Sequence, residues 1–350
     1  MTQVFKRVEE CPPVKGFRRS IIYDLSRKTY HFIPHALHSV LTEHEGQTIE
    51  EVKLAFDSPL VIDEYFEFLL ENEYIFLFSK EEYDQFRPLT FNWDYPALIT
   101  NAILCRDGNS TYDLKEVFSQ IENLGCRHVL LFSKVALDFS YFETLLHDLN
   151  VSSFQSIEIH TCQHESLHLR NLRRFVDNYP RVRAFIVHSA AENRIFCAKN
   201  QPYGIIAYVR EQGDLSRNSG TSLCDYFNVN IQLFSEAQQH NVFYNRKLIV
   251  DASGRIRNTL IGEEPEYFVG LDNIRQVVET HHFQRLWKIP KDSIEVCKDC
   301  EFRYMCTDSR IPIQTQDGTW HFETECAYNP YLAKWKGEKG YQPLQSPAGI

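Results

Sequence analysis

Along the first ninety residues the apolar positions change period several times. Two short apolar runs, 20–23 and 30–34, flank Asp24-Leu-Ser-Arg-Lys28, the pattern of two strands joined by a tight turn. After Pro34, Leu37, Val40 and Leu41 recur at helical spacing. Thr48 opens a second helix: its hydroxyl can accept from the amide three residues on while Glu51 reaches back, a capping box. The apolar stripe of that helix is Ile49, Val52 and Phe56. A third stripe, Ile62, Phe66, Leu69 and Leu70, precedes a strand-like run at 74–78. The expected order is β-β-α-α-α-β.

Residues 87–95, bounded by Pro88 and Pro96, read as a linker, and beyond them the period alternates regularly. Residues 97–104 form an apolar strand. Asp113, with Glu116 three residues on, suggests another capping box, opening a helix with Val117, Phe118, Ile121 and Leu124 on one face and Gly125 at its end. Strands follow at 128–132, 156–160 and 183–188, separated by helical stripes at Phe142, Leu145, Leu146 and Leu149 and at Leu169, Leu172, Phe175 and Val176. Three βα units and a fourth strand predict a parallel sheet, closed into a partial barrel or left as an open α/β layer. From Ile195 the regularity fades, although 247–251 and 255–258 look like a hairpin. The last seventy residues are loop-rich. The expectation is an α/β chain in three parts: a winged-helix-like module over 1–85, βα units over 96–235, and a cysteine-bearing domain over 236–350.

Composition narrows the class. The 350 residues are 43% hydrophobic and 13% aromatic, as in a folded globular protein. The net charge of −10 argues against nucleic acid as a partner. No apolar run approaches the ~20 residues that span a bilayer, and residues 1–20 lack a signal-peptide core, so a cytoplasmic protein with no membrane partner is expected. The acidity is local. Ten carboxylates and one lysine fall between Glu43 and Glu73, a solvated helix face or a docking surface for a basic partner.

Ten cysteines are too few for a disulfide scaffold, and four of them cluster. Cys297, Cys300, Cys306 and Cys326 have the spacing C-x2-C-x5-C-x19-C. A C-x-x-C turn aims two sulfurs at one centre and a later pair closes a tetrahedral shell, as zinc or a 4Fe–4S cluster requires. The alternative is four buried free thiols. Spacing leaves zinc and iron–sulfur both open. Such a centre is anionic, so the nearby cations Lys298, Arg303 and Arg310 bear on it. A second set, His160, Cys162 and His164, alternates along a strand end, with His168 and His188 nearby; a polar strand end explains it without a ligand. Cys11, Cys105, Cys126, Cys162, Cys197 and Cys224 share no ligand spacing. The glycines form no phosphate-binding loop, and no nucleophile elbow occurs.

The stretch 291–306 with Arg310 resembles a SPASM domain, the auxiliary-cluster module of peptide-modifying radical-SAM enzymes. More narrowly, the chain resembles the peptide maturases of grasp-with-spasm systems. Further matching stretches are Cys11–Gly16 with Arg19–Asp24, His240-Asn241 with 245–247, and Cys326–Tyr331 with Lys334-Trp335. The resemblance implies a leader-peptide recognition element of PqqD type at the N-terminus, binding by strand addition. It implies a radical-SAM-like barrel in the middle, and one auxiliary 4Fe–4S cluster on Cys297, Cys300, Cys306 and Cys326. The implied partners are a ribosomally made precursor peptide, through its leader, and an ATP-grasp ligase.

The departures matter equally. The C-x3-C-x2-C motif that binds the radical-SAM cluster is missing; only Cys105 follows the first barrel strand. Phe243, Thr259 and Ser309 stand where relatives carry cysteines of a second auxiliary cluster, leaving Cys224 alone. Cleavage of S-adenosylmethionine is therefore not expected. The sequence reads as a component of ribosomal-peptide maturation, a scaffold or degenerate maturase. It leaves open a redox-active maturase, a zinc-stabilised interaction protein, and whether the chain is an enzyme at all.

Overall fold

The computed structural model describes residues 3–149, 152–197, 204–215, 227–260, 267–270 and 272–344. It is a mixed α/β structure whose contacts group into two units. Residues 3–93, 227–243 and 288–344 form the first, and residues 94–215 and 244–287 the second.

The first unit opens with β1 (Gln3–Arg7), β2 (Pro13–Lys15), β3 (Ser20–Asp24) and β4 (Thr29–Ile33). Helices α1 (His35–Glu43), α2 (Ile49–Ala55) and α3 (Pro59–Glu71), strand β5 (Ile75–Ser79) and the single turn α4 (Lys80–Tyr83) follow. Strands β2, β3 and β4 form an antiparallel sheet, with Asp24 opposite Thr29 across the anticipated turn. Strand β1 pairs antiparallel with β5, a partner the N-terminal pattern did not reveal. Thr48 makes the anticipated capping box with Glu51, and Ser79 makes another with Glu82.

Leu37, Val40, Leu41, Val52, Ile62, Phe66 and Leu69 pack on Phe5, Ile22, Ile33 and Ile75. Leu70 lies on the solvent side of α3. Strand β3 is buried along its whole length because each face meets a different core. Ile22 joins the helix core, while Ile21 and Tyr23 join Val229, Phe234, Phe302, Met305 and Tyr328. This two-sided burial accounts for an unbroken apolar run where a one-sided strand would alternate.

In the second unit β6 (Asn101–Arg106), β7 (His128–Ala136), β8 (Ser156–Cys162) and β9 (Val182–His188) alternate with α5 (Leu114–Asn123), α6 (Phe139–Leu149) and α7 (Leu169–Asn178). The sheet is larger than the pattern indicated. With β10 (Arg194–Phe196), β11 (Ile205–Tyr208), β12 (Lys247–Val250) and β13 (Ile256–Arg257), its order is β10-β11-β9-β8-β7-β6-β12-β13. The strands from β11 to β12 in that order are parallel to their neighbours, and β10 and β13 are antiparallel edges.

All three helices share one core with alternate strand residues, among them Leu104, Leu131, Ile159 and Phe185. The intervening residues, such as Phe132 and His160, point to the other face. Asp113 caps α5 through the Lys115 amide, and the expected return bond from Glu116 is not made. Gly125 takes φ +85° just past α5, where an added Cβ would meet Ala97 at 2.6 Å. That is the left-handed stop the sequence suggested. Among the described residues no helix is long and apolar enough to cross a membrane.

Candidate metal centre

The cysteine-bearing segment is held in shape by short-range turns. Pro290 leads into a 3-10 turn at Lys291–Ser293, and a second spans Cys297–Asp299, closed by the Cys300 amide donating to the Cys297 carbonyl at 3.0 Å. Between them Val296 adopts φ +70°, a conformation that a β-branched residue rarely takes. Such strain persists only where the surroundings over-determine it, and here it redirects the chain immediately before the first cysteine. The last cysteine precedes a two-residue ladder between Tyr328–Asn329 and Lys334–Trp335. The Tyr328 amide donates to the Cys326 sulfur at 3.4 Å.

Together these turns bring Cys297, Cys300, Cys306 and Cys326 to the wall of one small cavity of about 30 Å³. The rest of the wall includes Lys291, Asp308 and Arg310 and the rings of Phe227, Phe302, Tyr328 and Trp335. None of the four cysteines is in a disulfide. Burial pushes the Cys297 thiol up to about 12, and Lys291 opposes that shift. Burial likewise raises Cys300 and Cys326, with Arg310 and the Tyr328 amide pulling Cys326 back. Among the described residues no three His, Cys, Asp or Glu side chains are grouped closely enough to hold a metal ion as they stand. The thiols surround the cavity without forming a closed coordination shell.

The charges nearby are uneven. Arg310 Nε donates to both carboxylate oxygens of Asp308, at 3.0 and 2.9 Å. Lys291 is 3% exposed and its ammonium makes no hydrogen bond; an Asp308 oxygen stands 3.4 Å away. Arg303 also lines the cavity but pairs with Asp292 at 2.9 Å. Lys298, a cation expected to bear on the centre, is turned outward and pairs with Glu295 at 2.6 Å. Four soft donors, a buried ammonium without a hydrogen bond and a largely apolar wall fit the requirements of an anionic tetrathiolate metal group. The role of Lys291 was not legible, because no spacing rule links it to the cysteines. Its burial is what singles it out.

The N-terminal strands build one side of this region. Gly16 packs so closely that an added Cβ would stand 2.9 Å from the Glu301 backbone nitrogen. The Phe17 amide donates to the Asp299 carbonyl at 2.7 Å, and Arg303 donates to the Lys15 carbonyl at 2.8 Å. Tyr23 donates its hydroxyl to the Glu301 carbonyl, and Arg19 pairs with the buried Glu301 carboxylate at 2.7 Å. These contacts give a physical reason for Gly16, Arg19 and Tyr23 to accompany the cysteine motif.

The histidine set is divided by the structure. On β8 the residues Glu158, His160 and Cys162 share a face. His160 Nε2 lies 2.6 Å from a Glu158 oxygen, and its Nδ1 lies 3.0 Å from His188 Nε2. Since the carboxylate must accept, His188 donates to His160 when the pair is neutral. Gly213 packs against the His188 ring. His164 lies beyond the strand, bonded to Ser166, and His168 caps α7. Thus three groups converge, and Glu158, which the alternation rule could have included, is one of them.

Cys11, Cys105 and Cys126 are buried, with thiols pushed up to about 12 by burial. Cys162 hydrogen-bonds the Lys134 carbonyl, and Cys197 is exposed. Cys224 lies outside the described residues.

Compared with protein-family models the chain matches none, and no curated protein matches it. Among solved structures, SuiB of Streptococcus suis bound to S-adenosylmethionine is similar over 87% of this chain and 94% of that one. The identity is 9% and the TM-score 0.29, a likeness that does not establish a shared fold.

Proposed function

We propose that the chain is a ribosomal-peptide maturation protein of the grasp-with-spasm kind, in which Cys297, Cys300, Cys306 and Cys326 ligate one zinc ion or one auxiliary 4Fe–4S cluster. The observation that carries this reading is that all four cysteines, spread over thirty positions of the chain, line a single cavity beside a buried ammonium that makes no hydrogen bond. The resemblance of those stretches to SPASM maturases supplies the function. In this reading the SPASM-like region is 236–350, the winged-helix-like module 1–85 holds the leader of a precursor peptide, and the radical-SAM-like βα region 96–235 is a scaffold. An ATP-grasp ligase acting beside this chain supplies the nucleotide chemistry for which no phosphate loop is found here.

If bound, the metal group supplies folding energy to a loop with little apolar content, and an iron–sulfur group adds one-electron chemistry. The protein's own part is to hold the thiolates, shield them with Phe302, Tyr328 and Trp335, and balance their charge. Two experiments test the reading. Absorption of the anaerobically purified chain near ~400 nm distinguishes iron–sulfur from colourless zinc. Calorimetric titration of the precursor's leader peptide into the full chain should show saturable binding. No binding, with the ligase present or absent, would contradict the docking role.

A further inference from the structure

We propose that Lys291 is the counter-charge of the four-cysteine centre, a positioning residue that holds an anionic metal–thiolate group in the cavity and tunes its affinity or potential. The inference rests on the ligation proposed above.

A buried ammonium whose charge is only partly balanced is costly, so a folded chain rarely keeps one unless something further compensates it. Lys291 is kept at 3% exposure on the wall shared with all four thiols. Asp308 forms an ion pair with it at 3.4 Å but cannot balance it alone, because the same carboxylate accepts from the Arg310 guanidinium through both oxygens. With Arg303 paired to Asp292, Lys291 and Arg310 exceed Asp308 by one positive charge at the cavity wall. The remaining local cations are spoken for: Arg303 pairs with Asp292 and Lys298 with Glu295. A divalent zinc on four thiolates, or an oxidised 4Fe–4S cluster on four, carries about two negative charges, the sign this wall lacks. The Phe322 ring, 5.0 Å from the ammonium, completes its surroundings without neutralising it.

A role confined to folding makes a different prediction from charge balance. Lys291→Met removes the charge and keeps the stem, Lys291→Arg keeps the charge, and Lys291→Met with Asp308→Asn restores the original net charge while losing more polar contacts. The test uses full-length chains purified anaerobically, with metal content followed against EDTA and folding followed by circular dichroism. For an iron-bearing preparation the midpoint potential is read as well. The expected result is metal loss at least tenfold faster in Lys291→Met, near-normal retention in Lys291→Arg, and recovery in the double variant. Retention by Lys291→Met equal to the parent overturns the proposal, as does a double variant that loses metal faster than the single one. A parent chain without metal overturns both this proposal and the ligation beneath it, so the two failures are distinct.

Discussion

Arg19 and Glu301, 282 positions apart, form an ion pair of 2.7 Å in which the carboxylate side chain is wholly out of solvent. Tyr328 donates to the same carboxylate. The pair fastens the N-terminal sheet to the turn that carries Cys297 and Cys300. Because breaking one half of a buried pair leaves an uncompensated charge, Arg19→Met should lower stability by about 3 kcal/mol in urea unfolding. Adding Glu301→Gln should cost less than the sum of the two single changes.

The second core makes a related prediction about fragments. Val14, Ile21, Tyr23 and Leu25 are buried largely against Val229, Phe234, Phe302, Met305 and Tyr328. Residues 1–93 expressed alone would expose these side chains, each worth about 1.5–3 kcal/mol when buried. That fragment should bind a hydrophobic dye and unfold without a cooperative transition. A sharp, dye-free transition would show that this module needs none of the later segments.

Acid should loosen the parallel sheet. Burial lowers the affinity of His128 and His188 for a proton below the ordinary value of 6.5, aided by Lys247 at His128 and by His160 at His188. The unfolded chain therefore binds more protons below that value, and the stability of the second unit falls as the pH drops through it. Protection factors of the amides in β7, β8 and β9, corrected for the intrinsic pH dependence of exchange, should fall from about pH 7 to pH 5. Replacing both histidines by glutamine should flatten that dependence, and an unchanged slope would refute its assignment to these residues.

Local capping offers a smaller, cleaner effect. Thr48 accepts from the Glu51 amide at 3.1 Å and Glu51 returns to the Thr48 amide at 2.8 Å. Thr48→Ala should cost about 1 kcal/mol of global stability, measured by chemical unfolding, with no change in metal content.

Much of the fold could be seen in the chain because local periodicity dictates it. The helices begin and end where Thr48, Asp113 and Gly125 place them, and the parallel strands 128–136, 156–162 and 182–188 announce themselves as apolar runs. What stayed hidden depends on partners far away in sequence. β1 is defined by pairing with β5, and β12 by pairing with β6 some 146 positions earlier. The cysteines were visible because they cluster at a short, regular spacing, whereas Lys291, Asp308 and Glu301 gain their meaning only from burial. The histidine set shows the converse: alternation correctly aligned His160 with Cys162, but the strand ended before His164.

The central claim, that four cysteines serve one metal centre, is tested most directly by metal analysis of the anaerobically purified chain and its four single Cys→Ser variants at 297, 300, 306 and 326. The account predicts about one zinc or about four irons per parent chain. It predicts a marked loss of metal in every variant, with a lower melting temperature for Cys300→Ser. A parent chain without metal, or variants that keep both its metal content and its melting temperature, would contradict it.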